Sequence, residues 1–169
     1  MDFMKLINER YSVRAYKSTP VEDLKLNTVL QAACLAPTAG NRQPFQVIVI
    51  HTRGKEIELL SIYEEPWFVQ APIVLCVSGL PALGWVRKDS KSYLDVDIAI
   101  VMDHMILAAT NLGLGTCFIA AFDPQNARNV LSIPSNVEPL LFSPLGYPDS
   151  TIGIKKRKKV EELVRYEHW

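Results

Sequence analysis

The sequence predicts an α+β fold, on three observations. Helix-period and strand-type segments both occur, but without the regular alternation that builds a doubly wound sheet. Residues 45–51 (FQVIVIH), 73–77 (IVLCV) and 139–145 (PLLFSPL) are apolar runs of strand length, the first two rich in β-branched residues. Residues 94–112 are apolar nearly all round, which places a long helix at the centre of the molecule.

The elements follow in order. Phe3, Leu6 and Ile7 lie at helical spacing, with Asp2 as the candidate cap. Residues 11–16 alternate and read as extended. Thr19, Pro20 and Glu22 form a helix start of the capping-box type, with Pro20 at the first helical position. Leu26, Val29, Leu30 and Ala33 give that helix one apolar face, and Pro37 stops it. A loop of turn formers and amides spans 37–44, before the strand at 45–51. A short helix is expected over 55–63, the second strand at 73–77, and irregular chain over 81–93. After the long helix, Gly113 and Gly115 act as a stop. A short strand is expected at 116–119. Asp123 and Pro124 cap a helix through Leu131, and the strand at 139–145 closes on Gly146, Tyr147 and Pro148. No linker, repeat or low-complexity segment divides the chain, so residues 1–169 are expected to form one domain.

Composition narrows the function. Apolar residues make up 49% and charged residues 21%, a globular balance that excludes a disordered chain. The 18 basic and 18 acidic residues cancel, which argues against nucleic acid as a partner. The longest largely apolar stretch, 98–114, contains Asp103, His104 and Asn111 and is too polar to span a membrane. The first ten residues lack the apolar core of a signal peptide. Cys34, Cys76 and Cys117 form no CxxC and sit among apolar neighbours, so buried free thiols in a reducing cytoplasm are expected. No zinc spacing, nucleophile elbow or other metal site is expected, and no catalytic side chain is nominated.

Four stretches can carry chemistry. Arg10, Ser12 and Arg14 alternate, so an extended backbone turns two guanidinium groups and a hydroxyl to one side. That set suits a phosphate; the alternative is an exposed edge with solvated charges. Residues 36–45 (APTAGNRQPF) join a helix end to a strand start. Asn41 and Gln43 each offer a donor and an acceptor for a polyol or a heterocycle edge, or else satisfy a plain turn. Residues 113–123 (GLGTCFIAAFD) follow a helix, so the dinucleotide fingerprint fails. The small pair Ala120 and Ala121 leaves room for a flat ring. Lys155 and Arg157, in the basic run 155–159, add positive charge that either closes over a phosphate or stays solvated.

In this order and spacing the four stretches resemble the nitroreductase family of flavoproteins, over residues 7–164. Arg10, Ser12 and Arg14 resemble its N-terminal phosphate motif. Residues 36–45 resemble its AP[ST]xxNxQP[WF] signature, and residues 95–121 its central helix and following strand. Leu145, Gly146, Tyr147 and Pro148 with Lys155 and Arg157 resemble its C-terminal pattern. The resemblance implies a mainly antiparallel sheet flanked by helices and a homodimer. It also implies a long central helix at the dimer interface and a C-terminal tail exchanged between subunits. It implies bound FMN, with NADH or NADPH as electron donor and a nitroaromatic, quinone or similar small-molecule acceptor, in a ping-pong mechanism. Arg10, Ser12, Arg14, Lys155 and Arg157 would hold the FMN phosphate. Asn41 and Gln43 would meet the ribityl chain or ring edge, Pro37 and Thr38 would approach from the partner subunit, and Ala120 and Ala121 would face the ring. Asp97 stands where the family usually has a small residue, and Ala120 where it often has glycine. A flavin-binding sensor or store without fast turnover is the second reading.

Overall fold

The computed structural model describes residues 2–169. Its sheet has four antiparallel strands in the order β1 (Phe45–His51), β2 (Ile73–Gly79), β4 (Glu138–Gly146), β3 (Gly115–Thr116). The helices are α1 (Phe3–Glu9), α2 (Asp23–Cys34), α3 (Glu56–Ile62), α4 (Leu94–Asn111), α5 (Pro124–Leu131) and α6 (Val160–Leu163). The α+β expectation therefore holds.

Strand alternation sorts the core into two layers. Ile73, Leu75 and Val77 of β2 face α2 and α4, meeting Val29, Ala33, Ile98, Met102 and Met105. Val74 and Cys76 face the other way, onto Leu59, Ile62, Phe68 and Phe142 beside α3 and α5. Covered on both sides, β2 is buried along its whole length, as its unbroken apolar run requires. α4 is central but not enclosed: Val96 and Asp103 are exposed along an outward stripe. Among the described residues, no helix is long and apolar enough to cross a membrane.

Local signals mostly locate the elements. The strand at 45–51 is observed residue for residue. The Asp123 carboxylate accepts from the amides of Gln125 and Asn126 at 2.8 and 2.9 Å, capping α5 as expected. Four expectations are corrected. The Asp2 side chain makes no cap bond. α2 starts at Asp23, without a Thr19 capping box, because the Glu22 carboxylate accepts instead from the Tyr147 hydroxyl at 2.8 Å. Cys34 is exposed; only Cys76 and Cys117 are buried thiols, since α2 turns Val29 and Ala33 inward and Cys34 away.

The fourth correction concerns the short strand expected at 116–119. Ile119 and Phe142 exchange both backbone hydrogen bonds at 2.9 Å. In that register the next doubly bonded pair toward β3 joins Cys117 to Pro144. Proline has no amide hydrogen, so the pair cannot close. The Cys117 amide donates instead to the Ser143 hydroxyl at 3.2 Å. The ladder consequently shrinks to Gly115–Thr116 plus one bridge at Ile119.

The tail behaves unlike the rest. From Ser150 onward, nearly every residue is exposed, and Tyr166 keeps 82% of its surface.

Candidate functional site

Arg10 closes α1, its amide donating to the Leu6 carbonyl. The chain then runs extended along β3: Ser12 bridges Thr116, and the Val13 amide donates to the Thr116 carbonyl at 2.9 Å. Gly115 permits this approach, because a Cβ there would lie 2.7 Å from a Val13 methyl. Val13 points into the core at 1% exposure. Its neighbours on the alternate register, Ser12 and Arg14, with Arg10, lie around the Cys117 thiol. Burial pushes that thiol up, and the Arg14 charge, the Ser12 hydroxyl and the Arg10 charge pull it back. Arg14 also lies 5.8 Å over the Trp67 ring.

The C-terminal tail delivers more cations to this place. Lys155 donates to the carbonyls of Ile7, at 3.1 Å, and of Asn8, at the end of α1. Lost hydration, then the charges of Arg10 and Arg157, hold the Lys155 amine below the usual lysine range. Among the described residues, neither Arg10, Arg14, Lys155 nor Arg157 forms an ion pair with a carboxylate. Like charges gathered without counter-ions suit a multiply charged anion.

The 37–43 loop is built differently. Gly40, Asn41 and Gln43 all take left-handed backbone angles, with φ of 61°, 54° and 50°. The Thr38 hydroxyl accepts from the Gln43 amide at 3.0 Å, and the Gln43 side-chain nitrogen turns onto Asn41. Arg42 donates to the Gly84 carbonyl at 2.9 Å, and the Ala39 amide donates to Asp97 at 2.8 Å. Pro37, Asn41 and Gln43 are exposed.

One protomer does not join the two sets. Arg10 shares a cleft with Thr110 and Gly113 at the C-terminal end of α4. The loop meets α4 at Asp97, thirteen residues earlier, or about 20 Å along the axis. Ala120 and Ala121 are both exposed and open onto different clefts. Ala120 lines an apolar cavity of about 340 Å³ with Ile98, Phe118 and Leu140. Ala121 lines a polar cleft with Tyr63, Glu64 and Asp123. Tyr63 and Trp67 join the cation cluster without a signal in the sequence, and Cys117, expected there only as a buried thiol, joins it too. The two aromatics sit four apart and read as ordinary packing.

Fold and site together define an α+β protein that gathers cations at one end of its central helix and offers a strained amide loop at the other. A family model described as "Nitroreductase family" matches residues 7–65 and 61–147, and the chain belongs to that family. It is similar to a protein of Archaeoglobus fulgidus named "Putative NADH dehydrogenase/NAD(P)H nitroreductase", at 30% identity over 86% of this chain and 84% of the relative. A Bacillus subtilis "FMN reductase [NAD(P)H]" is 27% identical, over 98% of this chain and 73% of the relative. The crystal structure of a nitroreductase family protein from Clostridium difficile superposes with a TM-score of 0.92 at 36% identity, covering 100% of each chain.

Proposed function

We propose that this chain, as one domain over residues 1–169, is an FMN-dependent NAD(P)H oxidoreductase of the cytoplasm that works as a homodimer. The observation that carries the reading is a chain of neighbouring cations without a carboxylate partner among the described residues: Arg10 and Arg14 beside Ser12 at Cys117, and Lys155 and Arg157 beside Arg10. It fits a phosphate monoester, and the names of the relatives supply the flavin and the nicotinamide.

FMN, when bound, would supply two-electron chemistry between NADH or NADPH and a nitroaromatic, quinone or similar acceptor, in a ping-pong sequence. The protein's part is binding, orientation and charge. Arg10, Ser12, Arg14, Lys155 and Arg157 hold the phosphate and the nearest ribityl oxygens. Asn41 and Gln43 meet the ribityl hydroxyls or the ring edge, and the backbone at Ala120 and Ala121 faces the ring. Pro37 and Thr38 reach the flavin of the other subunit. The separation of the loop from the cation cluster along α4 supports this sharing between protomers. The open stripe of α4 and the exposed aromatic tail support a dimer in which the tail crosses over.

An absorbance titration tests the reading. Purified protein should perturb the bands of added FMN, and NADH or NADPH should bleach them without oxygen. Flavin that binds but stays oxidised with both nicotinamides favours a sensor or store. No binding at micromolar protein overturns the assignment.

Lys155 adds a pH dependence. Its amine is held below the normal lysine range in the free protein, and a bound phosphate, being anionic, raises it. Binding should therefore take up protons on the alkaline side of neutrality, and FMN affinity should fall as pH rises through the free protein's Lys155 titration. Calorimetry in buffers of different ionisation enthalpy should show the uptake in the native chain and lose it in Lys155→Gln.

A further inference from the structure

We propose that Asp97 is the positioning residue of the 37–43 loop: its carboxyl holds the Ala39 amide and so sets where Thr38, Asn41 and Gln43 stand. The proposal rests on the flavin reading above for its consequence, but not for its geometry.

Asp97 lies in the first turn of α4 and is 2% exposed. Its Oδ1 accepts from the Ala39 amide at 2.8 Å. Its Oδ2 is buried with no hydrogen-bond partner among the described residues. A buried acceptor left unpaired is a standing cost to the fold, only partly offset by the helix N-terminus. Stability alone would favour a small apolar residue here. The carboxyl is therefore explained by what its other oxygen does.

That oxygen grips a loop that needs gripping. Three of its residues, Gly40, Asn41 and Gln43, hold left-handed backbone angles; glycine and asparagine tolerate them, but the Gln43 side chain disfavours them. Such a conformation persists only when its surroundings impose it. Among the described residues, hydrogen bonds tie 37–43 to other elements at two points: Asp97 at Ala39 and the Gly84 carbonyl at Arg42. The first is anchored on a helix whose inner face is packed into the core. The Arg42 tie runs to the irregular chain ahead of α4. Of these two ties, the Asp97 bond is the one that refers the middle of the loop to the packed centre, adding to the anchorage its flanks have at Ala36 and Pro44.

A purely structural carboxyl and a positioning one predict different patterns. In Asp97→Ala the orphan oxygen is gone, so the Tm of the FMN-free protein should stay level or rise. The Ala39 amide loses its acceptor, so its hydrogen exchange should quicken by about tenfold or more. FMN should bind about tenfold more weakly, the worth of about one hydrogen bond. Asp97→Asn keeps an acceptor in place and should restore both exchange protection and affinity to within about threefold. Unchanged exchange and affinity in Asp97→Ala overturn the proposal. So does a drop in Tm with no rescue by Asn. If the native chain binds no FMN, the flavin reading fails by itself, and Ala39 exchange in the two variants still decides the positioning role.

Discussion

Replacing Arg10 with glutamine should loosen FMN binding about ten- to hundredfold, as expected for one charge-assisted hydrogen bond of about 1.5–3 kcal/mol. The same change should leave the FMN-free protein no less stable. The two effects separate because Arg10 stands among cations. Lost hydration, with the nearby charges of Arg10 and Arg157, depresses the Lys155 amine, and among the described residues none of the three pairs with a carboxylate. Without an anion, removing one charge removes repulsion; with one bound, it removes attraction. Arg14 is the contrast. It also stacks on Trp67, so Arg14→Gln loses packing as well as charge and should lower the Tm slightly. Fluorescence titration at several salt concentrations, beside thermal melts, checks both variants. The native affinity should fall with salt more steeply than that of Arg10→Gln. Equal affinity and equal salt dependence in the two proteins would remove Arg10 from the phosphate site.

The same contrast between local and distant causes explains what the sequence disclosed. β1 and the Asp123 cap are read correctly because their signals lie within a few residues. The capping box at Thr19 fails because Tyr147, 125 positions from Glu22, claims the glutamate. The strand at 116–119 is cut short by Pro144, whose place opposite Cys117 exists only in the folded register. The charged half of the site is legible, since an extended backbone converts alternation into a shared side. Tyr63 and Trp67 are not, because their nearness to Arg14 depends on how the chain after α3 returns to the segment 11–16. Asp97 is noticed in the sequence as a departure from its family, but its purpose appears only when Ala39 is seen against it.

Gly115→Ala should be the most damaging small substitution near the site. The added methyl would lie 2.7 Å from one Val13 methyl and 3.0 Å from two further Val13 carbons. Val13 has little freedom to yield. It is β-branched and almost fully buried. Its amide is tied to the Thr116 carbonyl, and its carbonyl accepts from the Tyr16 hydroxyl at 2.8 Å. Relief must therefore come from moving the segment 12–14 as a unit, which carries Ser12 and Arg14 out of place. Overpacking of this kind costs about 1–3 kcal/mol, or a fall in Tm of about 2–12 °C for a chain of this size. FMN affinity should drop with it, by about tenfold or more, if one phosphate contact is lost. Removing the obstacle tests the cause. In Gly115→Ala combined with Val13→Ala, the new methyl occupies space the valine has vacated. Affinity should then return to within about threefold of Val13→Ala alone, a coupling that independent sites do not show. A Gly115→Ala protein that melts and binds FMN like the native chain would mean that Val13 is not the fixed point from which Ser12 and Arg14 are placed.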